Sequence, residues 1–176
     1  MFIFTVTIST HFLKTTHRMR KILAYILVSF VMISCAPVIG VVENNAYKIT
    51  CDTEAIKKEW ETNLNNQNTP AKLVNFEIIS NKTETTGETY YLLVAKNNDN
   101  SIKIGRKLQL VNDKFSFITT NKSSLSDRIT ITCSGCSNGC GIALKDDGKW
   151  ICTSCIEGSG CTKSETITDN SPVINR

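Results

Sequence analysis

The sequence predicts an α+β fold: one helix packed on a small antiparallel β-meander, followed by a small cysteine-rich β-hairpin module. Three observations predict it. One stretch spaces its apolar residues as a helix does. Several short stretches after it alternate apolar and polar residues, with turn residues between them. Six of the eight cysteines then fall between Cys133 and Cys161.

The amino-terminal 34 residues read as an address rather than as part of this fold. Met19-Arg20-Lys21 is a short cationic start, and Ile22–Ile33 is an apolar run broken only by Ser29 and the Tyr25 hydroxyl. Twelve helical residues span about 18 Å, short of a ~30 Å hydrocarbon core, which suits a secretory signal better than a membrane span. Residues 1–18 add nothing to that signal, so the true start is expected at Met19. The run Val31-Met32-Ile33-Ser34-Cys35 resembles the lipobox of bacterial lipoproteins. The resemblance covers residues 19–35. It implies cleavage after residue 34, a diacylglyceryl thioether on Cys35 and a further acyl chain of the palmitate class on the new amino terminus. Two or three acyl chains anchor a protein stably where one would not. By the same resemblance, Ala36 in place of an aspartate favours the outer membrane over the inner.

Residues 35–50 are expected to be a lipidated tether with a short strand at its end. The α+β domain is expected over 51–130. Asp52 or Thr53 can cap a helix and Glu54 favours its first turn. Ile56, Trp60 and Leu64 recur on one helical face, and Asn65-Asn66-Gln67-Asn68 with Pro70 ends it. Val74, Phe76 and Ile78 alternate with polar residues as a half-buried strand. Tyr90–Ala95 is apolar on both parities and belongs in the middle of the sheet. Ile102, Ile104, Leu108 and Leu110 share a parity, Asn112-Asp113 turns the chain, and Phe115 and Phe117 continue the apolar face. Arg128–Thr132 closes the meander as an edge strand.

The cysteine-rich module is expected over 131–165, with a flexible tail at 166–176. Asp147-Gly148 between apolar residues is a hairpin signal. A two-residue loop there places Leu144 opposite Ile151 and Cys140 opposite Cys155, making Cys140–Cys155 the expected disulfide. Four chemistries fit six clustered cysteines. Export puts Cys133, Cys136, Cys140, Cys152, Cys155 and Cys161 in an oxidising space, where a segment poor in large apolar residues needs disulfide staples. Alternatively, Cys133-x2-Cys136 and Cys152-x2-Cys155 have zinc-ribbon spacing. Either CxxC could instead exchange disulfides, although its flanks read as strand and turn rather than helix. A haem or iron–sulfur centre lacks its motif, since Ser137 and Ile156 stand where a haem-binding CxxC needs histidine. The disulfide reading is adopted, with no cofactor expected and zinc as the alternative. Cys51 is left as the odd thiol, read as a small buried hydrophobe, and Trp150 is expected to pack over the disulfides.

The charge balance removes other functions. The chain has 20 Lys and Arg against 16 Asp and Glu, but Lys14, Arg18, Arg20 and Lys21 lie in the leader, leaving sixteen of each sign. A neutral mature chain argues against nucleic acid as a partner. Both histidines, His11 and His17, also lie in the leader, so the mature chain has none for a triad or a general base. The expectation is a non-enzymatic lipoprotein of the bacterial cell envelope. It is held to the membrane by lipid and has a binding or structural role toward an envelope protein or a surface ligand. The alternative is a metal-binding or thiol-active envelope protein.

Overall fold

A computed structural model of the chain describes residues 38–118, 124–136, 139–153, 155 and 160–167. The expected leader, Cys35 and the residues beyond 167 lie outside the described residues.

Over the described residues the chain forms a mostly antiparallel β-structure with one α-helix and a cysteine-rich region near its carboxyl end. The elements are β1 (Val38–Glu43), β2 (Ala46–Ile49), α1 (Glu54–Asn66), β3 (Leu73–Lys82), β4 (Thr89–Asn97), β5 (Ile102–Val111) and β6 (Lys114–Phe117). After a 3-10 turn (Leu125–Arg128) come β7 (Ile129–Ser134), β8 (Ile142–Leu144), β9 (Trp150–Cys152) and β10 (Thr162–Ile167). The α+β class holds with the helix as a minor part.

The α1 helix forms where the apolar spacing places it. Ile56, Trp60 and Leu64 are buried on one face. The Glu54 N–H donates to Asp52 Oδ1 at 3.0 Å, just ahead of the N-cap residue Thr53, whose own side chain makes no capping bond. At the other end Asn68 takes a left-handed φ of 55°, which stops the helix.

Strand β5 organises the sheet. Along one edge it pairs with β4, which in turn pairs with β3. Along the other edge it forks. Ile102–Arg106 pair with β7, which carries β10 on its far side, whereas Leu108–Val111 pair with β6, which leads to β1 and β2. On the fork, Lys107 reaches Asp127 in the 3-10 turn at 2.8 Å. Tight turns join the hairpins: Asn44-Asn45 and Asn112-Asp113 all have φ between 50° and 61°, the two-residue turn that follows strand twist.

The sheet has a core on each face, which explains why β4 is apolar at both parities. Leu93 and Ala95 face α1, in a core with Trp60, Leu64, Ile104 and Phe115. Tyr90, Leu92 and Val94 face the β8–β9 hairpin, in a second core with Ile131, Ile142, Trp150 and four of the cysteines. The molecule is therefore layered as helix, sheet and disulfide-linked hairpin.

Five expectations need correction. Of the tether expected over 35–50, the short strand at its end is present as β2, but the residues from 38 on are not a tether. Val38–Ile49 is a hairpin in the sheet, paired to β6 through Gly40↔Phe115 and Val41↔Lys114. Its apolar residues Ile39, Val42 and Ile49 reach the helix-side core. The boundary between domain and module at 130/131 cuts through β7, and the tail expected from 166 begins inside β10. Both strands belong to the sheet, so Arg128–Thr132 is no edge; β10 takes that place. In β3 it is Leu73, not Val74, that joins the helix-side core. A bulge between Val74 and Glu77, with Asn75 at φ 52°, inserts one residue and lets Leu73, Phe76 and Ile78 share a face.

Candidate functional site

The cysteine-rich region is built on the short β8–β9 hairpin. Its register is Ile142↔Cys152, Ala143↔Ile151 and Leu144↔Trp150. The loop is longer by one residue than a two-residue turn. Gly148 N–H donates to Lys145 O and Lys145 N–H to Lys149 O, both at 2.9 Å, and Gly148 takes φ 78°. This is a type I turn followed by a left-handed glycine, the three-residue hairpin. The extra residue shifts every cross-strand partner, so Leu144 meets Trp150 instead of Ile151.

That shift removes the basis for the Cys140–Cys155 pair, and the structure joins these two residues to others. The disulfides are Cys133–Cys152, Cys136–Cys155 and Cys140–Cys161, with Cα separations of 5.6, 5.8 and 6.1 Å. All six expected cysteines are thus paired. The first bond ties β7 to β9. The other two tie the segment after β7 to the segment after β9. Neither CxxC closes on itself; instead the two run side by side, each cysteine bonded to its counterpart in the other.

The sulfurs are unevenly spread. Those of Cys136, Cys140, Cys155 and Cys161 all lie within 4.8 Å of one another. Across the two bonds, Cys136 Sγ is 3.4 Å from Cys140 Sγ and 3.2 Å from Cys161 Sγ, and Cys155 Sγ is 3.7 Å from Cys161 Sγ. The four-cysteine set expected for zinc, Cys133, Cys136, Cys152 and Cys155, is not the one that gathers. Cys133 and Cys152 stand apart, and Cys140 and Cys161 take their places. The sequence spacing was a good guide to a cluster and a poor one to its members, because the hairpin register decides which sulfurs meet. Of the four, Cys140 is fully buried, Cys136 and Cys155 nearly so, and Cys161 is half-buried.

The surroundings hold the cluster against the sheet. Trp150 is 1 % exposed, packs edge-on to Tyr90 with ring centroids 6.0 Å apart, and donates its indole N–H to Ser126 O at 3.0 Å. It is a core residue of the disulfide layer. Tyr90 accepts a hydrogen bond from Leu144 N–H at 3.0 Å, which fastens the hairpin to β4. Asp146, in the hairpin loop, grips the β3–β4 loop. Its carboxylate accepts from Thr86 N–H at 3.0 Å, Thr86 Oγ1 at 2.8 Å and Thr85 N–H at 3.1 Å. These bonds, the Thr86 N–H foremost, hold the carboxyl well below the usual range.

Two groups on the opposite face complete the inventory. Cys51 is the free cysteine among the described residues, packed against the helix-side core, and burial pushes its thiol pKa up. Arg106 was not singled out from the sequence, although it continues the parity of Ile104 and Leu108 and so had to point into the apolar face. It is 5 % exposed, lies 4.4 Å over the Phe117 ring, and its Nε has no hydrogen-bond partner.

Comparison with known proteins finds no match: no family model matches the sequence, no curated protein matches it, and no solved structure matches the fold.

Proposed function

We propose that the chain is a bacterial envelope lipoprotein, acylated on Cys35, whose folded domain serves a binding or structural role at the membrane without catalysis. The observation that carries this reading is the run from Met19 to Cys35, in which a cationic start, a short apolar core, a small residue and a cysteine coincide. The disulfides support it: Cys133, Cys136, Cys140, Cys152, Cys155 and Cys161 are all paired, chemistry that belongs to an oxidising compartment. The non-catalytic part rests on the mature chain's lack of histidine and on Cys51, whose raised pKa keeps it a poor nucleophile. Ala36 favours the outer membrane.

The intact mass of membrane-extracted protein tests the reading. It is expected to show loss of residues 1–34 and gain of a diacylglyceryl group plus an acyl chain. Cys35→Ala should move the protein from the detergent phase to the aqueous phase. Wild-type protein that stays aqueous, or that keeps residues 20–34, would sink the proposal.

A further inference from the structure

We propose that the disulfides Cys136–Cys155 and Cys140–Cys161 are the oxidised form of a four-thiolate site for a soft divalent cation of the zinc class. This goes beyond the envelope role and does not depend on acylation of Cys35.

The geometry carries the inference. Four thiolates at about 2.3 Å from a tetrahedral zinc stand about 3.8 Å apart. Three of the four cross-bond sulfur distances here are already 3.2, 3.4 and 3.7 Å, and the fourth, between Cys140 and Cys155, is within 4.8 Å. Only the two bonded pairs have to open, each from about 2.0 Å, the ordinary disulfide length. The ligands arrive as two short arms. Cys136-x3-Cys140 has the spacing of a zinc-binding arm, and its turn is already closed by Gly139 N–H donating to Cys136 O at 3.0 Å. Cys155 and Cys161 supply the other two ligands. Each disulfide runs from one arm to the other, so reduction returns two thiols to each arm without dispersing the four sulfurs. Cys133–Cys152 lies outside the group and keeps β9 tied to β7. Trp150 and the second core stay docked on the sheet.

The chemistry balances with a dithiol as reductant. Two dithiols are oxidised to cyclic disulfides and deliver four electrons and four protons, which turns the two protein disulfides into four thiols. One divalent cation then binds as the four thiols release four protons. A two-electron disulfide oxidant, acting twice, restores both bonds and expels the metal.

Co2+ is the probe, because four-thiolate cobalt has a distinctive visible spectrum. Full-length chain in detergent is reduced anaerobically with a phosphine, freed of it, and titrated. The expected result is saturation at one Co2+ per chain, with the tetrahedral thiolate spectrum and displacement of cobalt by Zn2+. Unreduced protein should bind none. Cys140→Ser with Cys161→Ser, which keeps Cys133–Cys152 and Cys136–Cys155 for folding before the reduction step, should lack the spectrum after it. In reduced wild-type protein, Zn2+ should slow alkylation of Cys136, Cys140, Cys155 and Cys161 and leave the rates at Cys133 and Cys152 unchanged. Absence of one-to-one binding would overturn the proposal. So would zinc protection that includes Cys133 and Cys152, or a tetrathiolate spectrum that survives the double serine variant.

Discussion

Among the described residues, Arg106 is the one charged side chain in the buried class. Burial lowers its pKa, and the nearby Glu59 carboxylate partly offsets this. A buried charge without a close ion-pair partner costs stability that an apolar side chain of similar length would not. Arg106→Met is expected to leave the protein as stable or up to about 2 kcal/mol more stable in urea unfolding. Arg106→Ala should lower stability, since it also removes the contact over Phe117 and leaves a void. Marked destabilisation by methionine would show that the positive charge itself is needed. Asp146 gives the residue scale its pH dependence. Its folded pKa is depressed by the bonds from Thr86 and Thr85, so its contribution is fully present above the unfolded value of about 3.9 and is lost as pH falls toward the folded one. The melting temperatures of wild type and Asp146→Asn should differ by a constant amount near neutral pH and converge in acid. A gap that stays constant down to pH 2 would remove Asp146 as an acid-sensitive latch. Neither residue was read correctly from the sequence. Arg106 is a charge in a strand, normally on the wet side. The Asp146 role comes from a loop 60 residues away in sequence.

At the scale of elements, the helix shows what periodicity can and cannot deliver. The spacing of Ile56, Trp60 and Leu64 was enough to place α1 and its buried face, because a helix repeats without reference to the rest of the chain. Trp60 is 1 % exposed and stacks on Phe76 with centroids 5.7 Å apart. Trp60→Ala should cost about 3–5 kcal/mol by chemical denaturation, and a cost under about 1 kcal/mol would mean that the site does not behave as core. The central strands were legible, but β1 and β10 were not, and neither was the register. One inserted residue flips a face, as at Asn75, or shifts a partner, as at Gly148, and composition does not reveal it. The β1–β2 hairpin was hardest to see, since its pairing depends on β6 far along the chain. Gly40 is where it fits most closely. A Cβ there would come 2.5 Å from both Ile78 Cδ1 and Lys48 O, and the latter is backbone that cannot swing away. Gly40→Ala is therefore expected to cost about 1–3 kcal/mol, read as a lower urea midpoint with an unchanged slope.

For the whole molecule, the two cores on one sheet tie the helix and the disulfide layer to a common fate. The sequence suggested a cysteine-rich module over 131–165 that follows a separate α+β domain. The structure instead runs β7 and β10 through the sheet and packs Leu92 and Val94 directly against the hairpin. Full reduction is expected to lower the melting temperature of the entire domain in one cooperative transition, with near-ultraviolet signals from Trp60 and Trp150 lost together. Two separated transitions would mean that the layers unfold independently. Each loop closed by a disulfide of this length stabilises by about 3 kcal/mol in the chain-entropy model, so the shift should be large. The start of β1 bears on how such a protein would meet its partners. Val38 comes three residues after Cys35, and three extended residues reach only about 10 Å. Acylation of Cys35 would give the domain no leash. It would ride against the lipid headgroups, excluded from bulk fluid and searching in two dimensions, so that whatever it binds has to come to the bilayer surface first.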